Sequence, residues 1–109
     1  MKALLTLTAT LLTLISASAN AALDDAGAQA ILKKSGCASC HGIDKKIVGP
    51  AYSAVAAKHK GAADAATVTM ASVRAGSKGL YGPMAMPPNP EAKISDADLH
   101  ELVDWILTK

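Results

Sequence analysis

A chain with no phenylalanine and only three aromatic side chains (Tyr52, Tyr81 and Trp105) lacks the bulk to close a core of its own. Half of its 109 residues are hydrophobic, but much of that share is alanine, which fills little volume. The length permits one small domain and excludes a multidomain enzyme. Domains of this size bury little surface relative to the entropy of ordering the chain. They are usually completed by several disulfides, a metal or a cofactor. Two cysteines cannot provide a disulfide framework. Something large and hydrophobic is missing from this core, and a bound cofactor would supply it.

Charge removes another class. Lys and Arg number 11 against 9 Asp and Glu, a formal balance of +2, and no basic run appears, so nucleic acid is not an expected partner.

Residues 1–19 read as a secretory signal peptide. Lys2 supplies the positive start, Ala3 to Ile15 is apolar apart from threonines, and small residues follow in an A-x-A pattern at Ala17/Ala19 or Ala19/Ala21. Cleavage is expected after Ala19, or as late as Ala22. A membrane span needs about 18 or more apolar residues, and no cysteine follows the small residues to take a lipid anchor. The sequence therefore predicts export to the periplasm, with residues 20–109 as a single domain and no stable membrane insertion after cleavage.

The exported part reads as all-α. A first helix is expected from about Asp24 to Ser35, with acids at its start, Lys33 and Lys34 in its last turn, and Gly36 as its stop. Ala28, Ile31, Leu32 and Ser35 share one face. A short helix is expected over Tyr52 to His59, and another from Asp64, as N-cap, to Ala75, with Gly76 ending it. Glycines and prolines from Gly76 to Lys93 exclude regular structure there. The last helix starts at Ser95, with Asp98 in the capping-box position and Ile94 stapled to Leu99. Its buried face is Leu99, Leu102, Val103, Ile106 and Leu107, with Trp105 near one margin.

Both cysteines fall in Cys37-Ala38-Ser39-Cys40-His41, the c-type haem attachment pattern. Two thiols at this spacing can add to the two vinyl groups on one edge of a porphyrin, and the next residue brings an imidazole to the iron. A thioredoxin-like redox pair needs a βαβ setting, and no strand is predicted. A zinc site would have to recruit His59 or His100 as its fourth ligand, and a simple disulfide at this spacing is a further reading. An electron-transferring haem needs a sixth ligand, and Met/His ligation leaves no vacant position for substrate. Met70 reads as core packing, and His59 and His100 as solvent-exposed surface. Met84 and Met86 lie in a proline-stiffened loop. Residues two apart in an extended chain face opposite ways, so one of the two is expected to bind iron, and spacing does not choose between them.

The order Gly36-Cys37-x-x-Cys40-His41, Val48-Gly49-Pro50-Ala51-Tyr52, Gly76-Ser77, Tyr81-Gly82-Pro83, Met86-Pro87-Pro88-Asn89 and Trp105-Ile106-Leu107 resembles the short class I cytochromes c. It is closest to the bacterial cytochrome c-551/c-552 group and covers essentially the whole exported chain. The resemblance implies one class I cytochrome c fold of about four helices around a single haem c. It implies covalent attachment at Cys37 and Cys40, with His41 and Met86 as iron ligands and the Pro50 carbonyl accepting from His41 Nδ1–H. Two departures concern the haem propionates. Tyr81 stands where the family often has Trp, and Ser72 where it often has a basic residue. Tyr81 is the expected propionate contact, and the resemblance assigns Arg74 no role.

These readings describe a monomeric electron carrier rather than an enzyme. By resemblance its partners are redox proteins: a quinol-oxidising complex upstream, and a nitrite reductase, peroxidase or terminal oxidase downstream. A haem-based sensor or small peroxidase-like protein with an open distal site is the alternative. Six lysines between Lys33 and Lys60 oppose one acid, Asp44, which suggests steering of an acidic partner toward the haem edge.

Overall fold

Local chemistry sets where each helix begins and ends in the computed structural model, which describes residues 21–109. The signal peptide expected over residues 1–19 lies outside the described residues. Helix α1 spans Asp25–Lys34, and the Asp24 carboxylate accepts the Gly27 N–H at 2.7 Å. Gly36 then turns the chain at a φ of +75°, a conformation that favours glycine. Helix α2 is Tyr52–His59, entered from the extended Ala51. Helix α3 is Ala65–Ala75. Asp64 precedes it but makes no capping bond, so the expected cap is absent. Helix α4 is Asp96–Ile106, where Ser95 Oγ accepts the Asp98 N–H at 3.1 Å.

Helix α4 is the hub, packing against α1, α2 and α3. Its Leu99, Leu102, Val103 and Ile106 meet Ala28 and Leu32 of α1, Tyr52 and Val55 of α2, and Ile94. Leu32, Leu99 and Val103 are fully buried, and burial of each such side chain contributes about 1.5–3 kcal/mol. Trp105, expected near a margin, is 5 % exposed. Its Nε1–H donates to Asp25 at 2.8 Å, and the Lys109 ammonium lies 4.2 Å from its ring centroid. This cluster joins the start of α1 to the end of α4.

Among the described residues there are only isolated bridges, His41 with Lys46 and Ser77 with Met86, and no strand. No described helix is long and apolar enough to cross a membrane. The helices and the two long connections around Cys37–Pro50 and Ser77–Pro87 enclose a cavity.

Candidate cofactor site

The first wall of the cavity is built by a short 3₁₀ turn, Cys37–Ser39, which no sequence pattern announced. The Cys37 carbonyl accepts from the N–H groups of Cys40 and His41, both at 3.1 Å. This turn brings Cys37, Cys40 and His41 to the same cavity. Burial pushes the Cys37 thiol above its ordinary pKa, against a smaller opposing pull from Lys93.

The following loop folds back beneath the turn. Val48 and Gly49 donate to the Cys40 carbonyl at 3.2 and 2.8 Å, and Tyr52 N–H donates to Gly42 at 2.9 Å. That return delivers the Pro50 carbonyl to His41 Nδ1 at 2.8 Å. A carbonyl only accepts, so Nδ1 carries a proton, and in the neutral imidazole that leaves the lone pair on Nε2. The Tyr52 ring stacks on the imidazole with centroids 5.2 Å apart and planes 17° from parallel. The ring is oriented as a ligand needs to be.

Another wall comes from the proline-rich connection. Met86 exchanges both backbone hydrogen bonds with Ser77, at 2.8 and 3.1 Å. Gly76 makes that approach feasible: its φ is +76°, and a Cβ there would stand 2.5 Å from the Met86 carbonyl oxygen. Met84 and Met86 both line the cavity, but Met84 is 65 % exposed whereas Met86 is half-buried. Met70 packs on the hydrophobic core. His100 is exposed and pairs with Asp104 at 3.5 Å.

His59, expected in solvent, is instead half-buried and lines the cavity from the end of α2. Thr69 and Ser72 of α3 line it too, and Ser72 supplies no positive charge. Among the described residues, the buried hydroxyls of Thr69 and Tyr81 have no hydrogen-bond partner. An orphaned buried polar group costs about 1–3 kcal/mol, so both need an acceptor or donor brought in by whatever fills the space. Burial raises the Tyr81 phenol pKa, which keeps it a donor.

Two thiols, an oriented imidazole, thioethers, apolar walls and two waiting hydroxyls match the donor set for a flat apolar macrocycle with a polar edge. Haem c fits these residues. Cys37, Cys40 and His41 of the attachment pattern line this one cavity, together with Pro50, Tyr81 and Met86, which the resemblance implies. His59 reads from the sequence as solvent-exposed and Thr69 carries no sequence signal, yet both line this interior.

Comparison with known proteins agrees with this geometry. The Cytochrome c family profile matches residues 25–109. Cytochrome c-552 of Nitrosomonas europaea is 45 % identical over 78 residues, covering 72 % of this chain and 74 % of that protein. Cytochrome c-551 of Pseudomonas aeruginosa is 42 % identical over 81 residues, covering 74 % and 75 %. The crystal structure of the wild-type Nitrosomonas europaea cytochrome c552 superposes with a TM-score of 0.68 at 44 % identity, over 73 % of this chain and 96 % of that one.

Proposed function

The chain belongs to the cytochrome c family, as a class I c-type cytochrome, and from that premise we propose that it is a periplasmic carrier of single electrons between respiratory redox proteins. As a family member it holds one covalently attached haem c and transfers electrons rather than acting as an enzyme. Haem c, when bound, supplies a one-electron Fe(III)/Fe(II) couple.

The remaining work falls to the chain. Cys37 and Cys40 would hold the porphyrin covalently through their side-chain sulfurs, which reach the same cavity. His41 offers Nε2 to the iron while Pro50 holds the proton on Nδ1. Met86, its backbone fixed by Ser77, would offer its thioether to the iron. The apolar walls exclude water and so limit reorganisation on changing oxidation state. Tyr81 donates to a propionate. One observation carries this reading: the His41 Nδ1 contact with the Pro50 carbonyl, at 2.8 Å, lies in the same cavity as both thiols and Met86.

Electrons would pass through the cavity mouth. Val48, Leu80 and Met84 line the cavity and are also exposed, at 43 %, 46 % and 65 %. Lys45 and Lys46 stand beside exposed Ile47, and Lys58 reaches the Leu80 carbonyl at 3.3 Å. An apolar rim with Lys58 on it, and with Lys45 and Lys46 two to three residues before its Val48, suits an acidic redox partner. The quinol-oxidising complex upstream, and a nitrite reductase, peroxidase or terminal oxidase downstream, are the partner classes we assign. Export by residues 1–19, cleaved after Ala19 or as late as Ala22, is part of the same proposal.

The ligand assignment is tested by two substitutions. Met86→Ala should abolish the long-wavelength Fe(III)–thioether absorption, whereas Met84→Ala should keep it. The reverse pattern would transfer the ligand to Met84.

A further inference from the structure

We propose that Arg74 is a positioning residue for the sixth ligand, acting through the proline-rich loop that carries Met86. The inference rests on the reading of Met86 as that ligand. Arg74 is the only arginine in the chain. It lies in the last turn of α3, with its side chain 25 % exposed. One guanidinium nitrogen donates to two carbonyls, Asn89 at 3.1 Å and Ile94 at 2.8 Å. Another pairs with the Asp96 carboxylate at the start of α4. A single planar group thus ties the end of α3 to the end of the loop and to the first turn of α4.

The loop needs such an outside donor. Pro87, Pro88 and Pro90 have no N–H, so the segment after Met86 can form few hydrogen bonds of its own. Apart from one internal bond from Asn89 to Pro87, what it has comes from its neighbours. Buried Asn89 donates its backbone N–H and its side-chain amide to the Val73 carbonyl, at 3.1 and 3.2 Å, and the amide also reaches Pro87 at 3.0 Å. Arg74 completes the attachment by taking the Asn89 carbonyl. Met86 is therefore held directly by Ser77 and, just beyond the prolines, by the node of Val73, Arg74 and Asn89. A thioether is a weak neutral ligand, so its hold on iron depends on how firmly the loop presents it. The forked geometry serves several acceptors together, which a lysine ammonium at this position would not do as well.

The test uses the holoprotein and three variants: Arg74→Met, Arg74→Lys and Asp96→Asn. Two readouts are taken: CO affinity of the reduced protein, and the temperature at which ferric thioether absorption fades, compared with loss of helical circular dichroism. Arg74→Met should raise CO affinity about tenfold, the equivalent of one charge-assisted hydrogen bond. Its thioether band should fade before the helices melt. Arg74→Lys should fall between it and the parent, which keeps the test decisive if Arg74→Met does not fold. Asp96→Asn leaves both carbonyl bonds intact and should stay within about twofold. If band and helices disappear together in the Arg74 variants, with CO affinity unchanged, Arg74 is only structural and the inference is overturned. If the parent protein itself shows no thioether band, the ligand reading fails and takes this inference with it.

Discussion

Gly49 lies against the imidazole of His41 so closely that a Cβ at Gly49 would stand 2.5 Å from the ring's Cε1 and 2.9 Å from Nδ1. The same imidazole is held by Pro50 and stacked on Tyr52. It therefore has little freedom to retreat. Gly49→Ala should push the ring off its Pro50 contact and destabilise the folded holoprotein by about 1–3 kcal/mol, the usual cost of overpacking. Guanidinium denaturation measures the loss, and an altered Soret band should accompany it. An unchanged midpoint and spectrum would mean that this approach does not constrain the ligand.

Asp25 makes acid sensitivity predictable. The Trp105 indole N–H and the Lys109 ammonium hold its carboxyl below the ordinary value of 3.8. A pKa depressed on folding stabilises the fold above the unfolded value, and that stabilisation is lost as pH falls through the lower folded value. Asp25→Asn should therefore be less stable than the parent at neutral pH. The gap should narrow below pH 3.8. Thermal melts of both proteins across that range provide the check, and a gap independent of pH would remove the linkage.

Ionic strength probes the cationic mouth. Electron transfer to an acidic redox partner should slow as salt rises, because at about 0.1 M the screening length is only ~10 Å. Replacing Lys45 and Lys46 by glutamate should slow it further and flatten the salt dependence. Stopped-flow rates over a salt series decide this. A rate indifferent to salt would discard steering.

Where the sequence could be read, short-range chemistry was responsible. Ser95 with Asp98, Asp24 with Gly27, and the glycines at 36 and 76 fix the helix limits through contacts within a turn. The attachment segment could be read for the same reason: its chemistry is complete within a few residues. What escaped depends on partners far along the chain. Trp105 joins the core and bonds to Asp25 with Lys109 over its ring, and Arg74 bonds to Asn89, Ile94 and Asp96. Thr69 and His59 escaped for another reason. They face an interior that the chain does not fill with its own atoms, so hydrophobic patterning does not point to them.

The most direct measurement is the visible spectrum of the purified protein in both oxidation states, repeated after CO is added to the reduced form at neutral pH. Iron held by His41 and Met86 predicts a coloured protein with thioether absorption when oxidised and a Soret band that CO does not immediately shift. A colourless preparation from a cell able to attach haem, or a prompt CO shift in the native protein, would contradict it.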